Sequence, residues 1–307
     1  MPVKRNDILC MLMVKIEGVH EMIVDAILDT LLDGIKLLPF LFITYLVMEY
    51  IEHKTSQNTI HIMKKSGKWG PVWGSALGLV PQCGFSAAAS NLYAGRIITI
   101  GTLIAIFLST SDEMLPILVS EQVNAITIIR ILAVKAVIGI LAGFAVDFVI
   151  RSKKGYQEQE LRIEHMCDHQ HCHCEEGKIF KSALNHTLQI FAFILVITFV
   201  LNLIIGYVGE EQLAAFISDK PVLGPVVSGL IGLIPNCASS VVLTQLYLEG
   251  VLGAGAMMAG LLSGSGVGLL VLYKVNDDLK ENVKITVLLY GTGVVFGILL
   301  EVLGVVF

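Results

Sequence analysis

Apolar residues fall into long runs along this chain, Leu37 to Met48, Ile126 to Ile150 and Ile190 to Ile205 among them. Each reaches or approaches the roughly 20 residues that span a hydrocarbon core. None keeps the strict alternation of a half-exposed strand, so the pattern predicts an all-α polytopic membrane protein rather than a barrel. The polar residues collect between the runs, where loops at the two membrane surfaces belong.

The runs also repeat. Residues 70 to 93 match residues 224 to 247 without a gap at an offset of 154, with ten of 24 positions identical, including Gly78/Gly232, Pro81/Pro235, Cys83/Cys237, Ser86/Ser240 and Tyr93/Tyr247. The same offset pairs Gly101 with Gly255, Ser109 with Ser263, Ser111 with Ser265, Gly139 with Gly293, Gly143 with Gly297 and Asp147 with Glu301. A duplication of one helical unit is therefore expected. Lys54, Lys64, Lys65 and Lys68 follow the first long helix, whereas Glu210, Glu211 and Asp219 against Lys220 follow its counterpart. Lys and Arg favour the cytoplasmic side, so the two copies are expected to be inverted, with the segment from Arg151 to Lys154 and the Lys274 to Lys284 loop also inside.

Within the first copy the pattern predicts a helix at about 27–51 and a stretch interrupted by Gly and Pro at 70–94, read as a re-entrant hairpin of two half-helices. Helices at about 97–119 and 126–150 follow. That makes two inverted five-helix repeats, about ten segments in all. The chain divides into an amphipathic lead-in at 1–26, repeat 1 at 27–151, a linker at 152–181 and repeat 2 at 182–307. Paired interrupted segments at equivalent places in two inverted halves point to a binding site at the membrane midplane.

Composition sharpens this picture without changing it. Hydrophobic residues make up 55% of the 307 and charged ones 15%, and the mean hydropathy is +0.76, values foreign to a water-soluble domain of this length. A net charge of −5 spread among loops gives no basis for nucleic-acid binding. Lys4 and Arg5 precede an apolar run that Lys15 and Glu17 cut short, with no small-residue cleavage site, so no cleaved signal peptide is expected. The expected location is the inner, cytoplasmic membrane. The expected partners are the lipid bilayer and a bound ion, with a homo-oligomer left open.

Candidate chemistry gathers at the interruptions. Pro81 and Pro235 each remove a backbone donor and free carbonyls inside the membrane. Gln82 with Cys83, and Asn236 with Cys237, would face one cavity if the copies are symmetric; the structural alternative is a packing kink with small residues at a helix crossing. Ser109, Ser111, Asp112 and Glu113 sit near the middle of the predicted 97–119 helix, with Ser263 and Ser265 as partners in the other copy. Carboxylates at membrane depth are costly unless paired, protonated or bound to a cation. The alternative is that Ser111 starts a new interfacial helix with Asp112 and Glu113 in its first turn. Asp33 and Glu49 border the first apolar run and are candidates for ion coupling, against the plainer reading of a solvated stripe. In the linker, His165, Cys167, His169, His171, Cys172, His173 and Cys174 place imidazoles and thiols together, the ligands that Zn, Cu and Ni prefer. Their irregular spacing suits a collector or sensor tract better than one structural site.

Four segments, Lys36 to Lys54, Val80 to Ser86, Ser109 to Met114 and Ile234 to Cys237, resemble the ten-transmembrane heavy-metal exporter family, whose members are described variously as manganese transporters and as arsenic efflux proteins. The Pro-x-Cys element is also similar to that of the wider permease group with organoarsenical exporters. The resemblance implies efflux of a metal or metalloid. Carboxylate, amide and water oxygens suit Mn(II), whereas paired thiols suit trivalent arsenic. The expected cargo is a divalent cation, manganese first, with no resident cofactor, moved by alternating access and driven by protons since no nucleotide-binding signature is present. An arsenical permease acting through Cys83 and Cys237 is the alternative, and a metal sensor without transport a lesser one. An enzyme with Ser109 or Cys83 as nucleophile is not expected, because no membrane histidine is placed to serve as its base.

Overall fold

A computed structural model describes residues 24, 26–28, 30–32, 34–35, 38–39, 42–43, 46, 69–80, 83–111, 114–154, 179–208, 222–235 and 237–307. Every regular element among them is helical. The described residues between 24 and 46 are helical; all but Val24 and Ala26 fall within the predicted first helix at 27–51. From residue 69 on, the helices among the described residues are α1 (Gly70–Gly78), α2 (Cys83–Ala94), α3 (Ile100–Ser109), α4 (Met114–Ser120), α5 (Ala125–Lys154), α6 (Ile179–Val208), α7 (Leu223–Gly232), α8 (Cys237–Leu248), α9 (Ala254–Ser263), α10 (Gly268–Val275) and α11 (Leu279–Val302). The predicted interrupted stretch at 70–94 is present as two helices, α1 and α2. The predicted helix at 97–119 is not continuous, because the chain leaves the helix after Ser109 and resumes it at Met114. Thr110 has the extended ψ of 127° that ends α3, and Gly264 ends α9 in the same way at ψ 113°.

The offset of 154 governs these elements closely. Helices start at 83 and 237, at 100 and 254, at 114 and 268, and at 125 and 279. The corners after α2 and α8 repeat as well: Arg96 (φ 60°) and Gly250 (φ 74°) both take the left-handed conformation. In each corner an amide reaches back five residues, Ile97 to the Leu92 carbonyl and Val251 to the Leu246 carbonyl, both at 2.9 Å. This satisfies carbonyls that a helix end leaves without donors. At Gly250 the backbone explains the residue; Arg96 takes the same strained shape and is held by contacts described below.

Among the described residues, four stretches are long and apolar enough to cross a membrane: Ile100–Ser120, Ala125–Ile150, Ala254–Val275 and Leu279–Val302. They form two classes. The two broken stretches are inside, 75% and 89% buried, whereas the two continuous ones are only 28% buried. All ten residues of α3 and all ten of α9 are buried. On α5 and α11 many outward residues are apolar, Ile126, Ile129, Leu141 and Phe148 on one, Val287, Val295, Leu299 and Val302 on the other, while the exposed charges Arg130, Lys280 and Lys284 lie in the first two turns. Such faces suit lipid, the medium in which apolar contact with a neighbouring helix gains little over contact with acyl chains.

What holds these helices together is therefore close backbone approach and internal hydrogen bonding. α3 packs between α1 and α5, and α9 between α7 and α11. A Cβ on Gly101 would land on the Gly143 carbonyl oxygen, and one on Gly255 on that of Gly297, so the backbones touch there. The free amides at the starts of α3 and α9 are met by carboxylates from the outer helices: Gly101 N–H donates to Asp147 Oδ1 at 2.9 Å and Gly255 N–H to Glu301 Oε2 at 2.7 Å. Thr99 adds a bond to Asp147 Oδ2 at 2.8 Å. A negative group suits a helix N-terminus, and lipid supplies no water to do the same task.

The halves exchange contacts reciprocally. α2 packs on α10 of the other half, and α8 packs on α4. A continuous core including Phe107, Met114, Leu118, Met257, Leu261 and Leu272 runs through both.

Candidate functional site

The end of each inner broken helix meets the end of a Pro-containing stretch. In the first half, Ser111 Oγ donates to the carbonyl of Leu79 at 2.8 Å, and Leu79 is the residue that closes α1. Ser109 Oγ turns back on its own helix, to the Ala105 and Ile106 carbonyls at 2.7 and 3.2 Å, and Thr110 Oγ1 bonds the Ile106 carbonyl at 2.8 Å. In the second half Gly264 lies against the backbone of both Gly260 and Gly232, a Cβ there standing 3.3 and 3.4 Å from their oxygens. Here the hydroxyls behave differently. Ser263 and Ser265 are 0% and 1% exposed, and neither Oγ has a hydrogen-bond partner among the described residues. Buried hydroxyls left in this way cost free energy and are rare.

Between the two breaks lies a small cavity lined by Thr110, Ser111, Ser239, Ser240, Gly260, Leu261, Gly264 and Gly266. Its free space of about 10 Å³ admits about one water-sized particle. Both halves contribute to it, the first through the α3–α4 break, the second through the first turn of α8, the last turn of α9 and the α9–α10 break. The groups that converge are carbonyls and hydroxyls. Among the described residues no three His, Cys, Asp or Glu side chains come together in a way that could hold a metal ion.

The sequence-predicted residues thus divide. Ser109, Ser111, Ser263 and Ser265 are buried at the two breaks, the last two with no hydrogen-bond partner among the described residues. The expectation that Ser109 and Ser111 lie near the middle of one continuous helix is corrected: Ser109 is the last residue of α3, and Thr110 and Ser111 stand outside any helix. Cys83 and Cys237 are the first residues of α2 and α8, directly after the Pro-containing interruptions. Gln82, Asp112, Glu113 and Asn236 lie outside the described residues, as do Asp33, Glu49 and the linker residues His165, Cys167, His169, His171, Cys172, His173 and Cys174. In sequence, Asp112 and Glu113 occupy the interval between Ser111, which lines the cavity, and Met114, which opens α4.

One residue at this place escaped the sequence pattern. Lys135 lies inside the apolar run Ile126 to Ile150 and is 0% exposed. Its Nζ donates to the carbonyl of Thr110 and, at 3.1 Å, to that of Leu261, so one ammonium bridges the breaks of the two halves. The available signal was a charge in the middle of a span, which by default marks function. These two partners are backbone carbonyls, which carry no sequence signature.

A second link between the halves lies at one end of the helices. Arg96 is bidentate to Glu281, at 3.1 and 2.7 Å, and also donates to Tyr93 Oη at 3.2 Å. Asn276 Nδ2 supports the Glu281 carboxylate at 3.3 Å. Burial works against the charge on Arg96, but the Glu281 carboxylate more than offsets it and holds the guanidinium above its ordinary range. This network secures the left-handed Arg96 corner. The equivalent tyrosine of the second half, Tyr247, instead bonds the backbone of Phe307.

Helices of this length and lipid-facing exposure, packed around two broken inner spans, define a multi-pass α-helical membrane protein with a polar site between its halves. A family described as "Putative, 10TM heavy-metal exporter" matches residues 19–205, more than half of the chain, and the chain belongs to that family. The match includes the first interrupted stretch and the α3–α4 break; the Ile234 to Cys237 element, on which the resemblance also rested, lies beyond it. No curated protein and no solved structure matches the chain.

Proposed function

We propose that this protein is a secondary transporter of the inner membrane that exports a heavy-metal cation, manganese first, by alternating access of two inverted halves coupled to protons. The observation that carries the reading is the meeting of two broken inner spans at one cavity, with carbonyls freed from helices and, at the second break, two buried serine hydroxyls that have no partner among the described residues. Unwound backbone and half-helix ends of this kind are how transporters hold ions at the midplane. The oxygens suit a hard divalent ion, and Asp112 and Glu113, following Ser111 in the chain, would supply its negative charge. Protons competing for those carboxylates would give the coupling. The protein is not an enzyme on this reading, and the metal is cargo rather than a resident cofactor.

Inversion draws support from the Arg96–Glu281 pair. Taken as one broken span, Ile100–Ser120 carries the chain from the corner at 95–99 to the corner at 121–124, on opposite faces of the membrane. Arg96 belongs to the first corner, and Glu281 opens α11, whose equivalent α5 follows the second corner. Contact between them fits copies of opposite orientation, with the Lys274 to Lys284 loop and the His/Cys-rich linker both cytoplasmic.

The test is uptake into everted membrane vesicles, comparing Mn, Zn, Co, Ni, Cu and arsenite for the intact protein and for Asp112→Ala. Accumulation of a divalent cation that the substitution abolishes is expected. Accumulation of arsenite alone, unchanged in Asp112→Ala, would overturn the reading in favour of an arsenical permease. That alternative has one observation behind it: Cys83 and Cys237 open equivalent helices at equivalent breaks. Cys83→Ser combined with Cys237→Ser separates the two, since arsenite export should vanish and Mn(II) export persist.

A further inference from the structure

The site contains a charge that the export reading does not use. Lys135 reaches from the outer helix α5 through the inner layer, and its ammonium ends against carbonyls of both halves. Those two carbonyls are of a particular kind. Thr110 caps the C-terminus of α3, and Leu261 lies in the last turn of α9, which ends at Ser263. Both belong to the group of carbonyls that a helix leaves without an intrahelical donor. Both also stand at the negative end of a helix dipole. Two half-helix C-termini converging in a buried place make a cation site by themselves, and an ammonium with three donors and no acceptor is a suitable occupant. Symmetry does not require the lysine: position 289, its equivalent at the offset of 154, is a leucine, also 0% exposed. The first half has thus placed a charge where the second has an ordinary core residue.

We propose that the Thr110 and Leu261 carbonyls form a site for a small monovalent cation, filled in this chain by the tethered ammonium of Lys135, which thereby joins the two broken spans. The free space beside it extends the same site: Thr110 and Leu261 both line the cavity, and Ser265, between the lining residues Gly264 and Gly266, has a buried hydroxyl with no partner among the described residues. A fixed positive charge there explains how α3 and α9 can both stop at membrane depth with their carbonyls directed into the protein. The site shares its cavity with the export reading, but its occupancy is measured without cargo, so failure of the one is distinguished from failure of the other.

The test uses the full chain in detergent and compares the wild type with Lys135→Ala and Lys135→Met, the second of which keeps most of the stem and removes the charge. Thermal unfolding is followed in choline, sodium, potassium and ammonium chloride at equal ionic strength. Both variants should unfold at lower temperature than the wild type in choline. In at least one small cation, ammonium foremost, they should recover by several degrees, while the wild type stays unmoved by the same exchange. Rescue by a free cation is an outcome that loss of packing would not produce. If neither variant is stabilised by any of the cations, or neither accumulates as folded protein when ammonium is present throughout expression and purification, the proposal is wrong. An equal response of the wild type would also overturn it, since its site should already be filled.

Discussion

At the scale of single residues, packing in this protein is decided where backbones touch and where hydroxyls lack partners. Gly291 and Gly293 lie on the same helix with opposite surroundings. A Cβ on Gly293 would collide with Ser263 Oγ and stand 2.9 Å from the Ala259 carbonyl, whereas one on Gly291 meets nothing within 4 Å. Gly293→Ala should therefore destabilise by about 1–3 kcal/mol through overpacking, and Gly291→Ala should be neutral or gain up to about 1 kcal/mol from helix propensity. Denaturant titration in mixed micelles reads both. Ser263 offers a sharper discrimination. Its hydroxyl is buried without a partner among the described residues, so Ser263→Ala should leave stability unchanged or raised, because a desolvated polar group is removed. If that oxygen is a cargo ligand, export should fall severalfold in the same variant. Loss of stability with unchanged export would assign Ser263 to packing instead.

At the scale of elements, carboxylates and cations join helices that lipid alone would not hold. Asp147 meets the start of α3 through Gly101 N–H and Thr99, and Asp147→Ala should cost about 1–3 kcal/mol by leaving a buried donor unsatisfied. Asp147→Asn, which keeps an acceptor oxygen, should cost less. Much at this scale was legible in the sequence. The offset of 154, visible in Gly, Pro, Cys and Ser identities, anticipated helix starts, the two Pro-interrupted stretches, and the equivalence of Asp147 with Glu301. The α3–α4 break was legible only as the alternative in which a new helix starts after Ser111, and the continuous helix was preferred for a physical reason. Ile100–Ser120 has the length and mean hydropathy, 1.5, of an ordinary span, and Ser and Thr can continue a helix by bonding back to its carbonyls. The decision lies in tertiary contacts such as Ser111 with Leu79. Lys135 was hidden likewise, since its bonds to the Thr110 and Leu261 carbonyls leave no mark in the sequence. Of the candidate site, the serines came from the repeat, while the part played by the helix ends required the fold.

At the scale of the molecule, the two halves meet through reciprocal packing of α2 on α10 and α8 on α4 and through the Arg96–Glu281 pair, whose side chains are 8% and 18% exposed. Orientation of the halves decides whether alternating access is available, because inverted copies give the same protein two exchangeable conformations facing opposite sides. The loop charges and the Arg96–Glu281 contact both favour inversion, and a labelling experiment tests it directly. Glu121 and Lys280 are exposed, one beside the corner that precedes α5, the other at the start of α11, which is the equivalent of α5. In a background with the native cysteines replaced, Glu121→Cys should react with a membrane-impermeant maleimide in intact cells, and Lys280→Cys only after the membrane is permeabilised or everted. Parallel copies would put these two positions on the same face and give them the same labelling. That result would remove the inverted-repeat mechanism while leaving the helix packing as it stands, because the contacts within each half hold for either orientation.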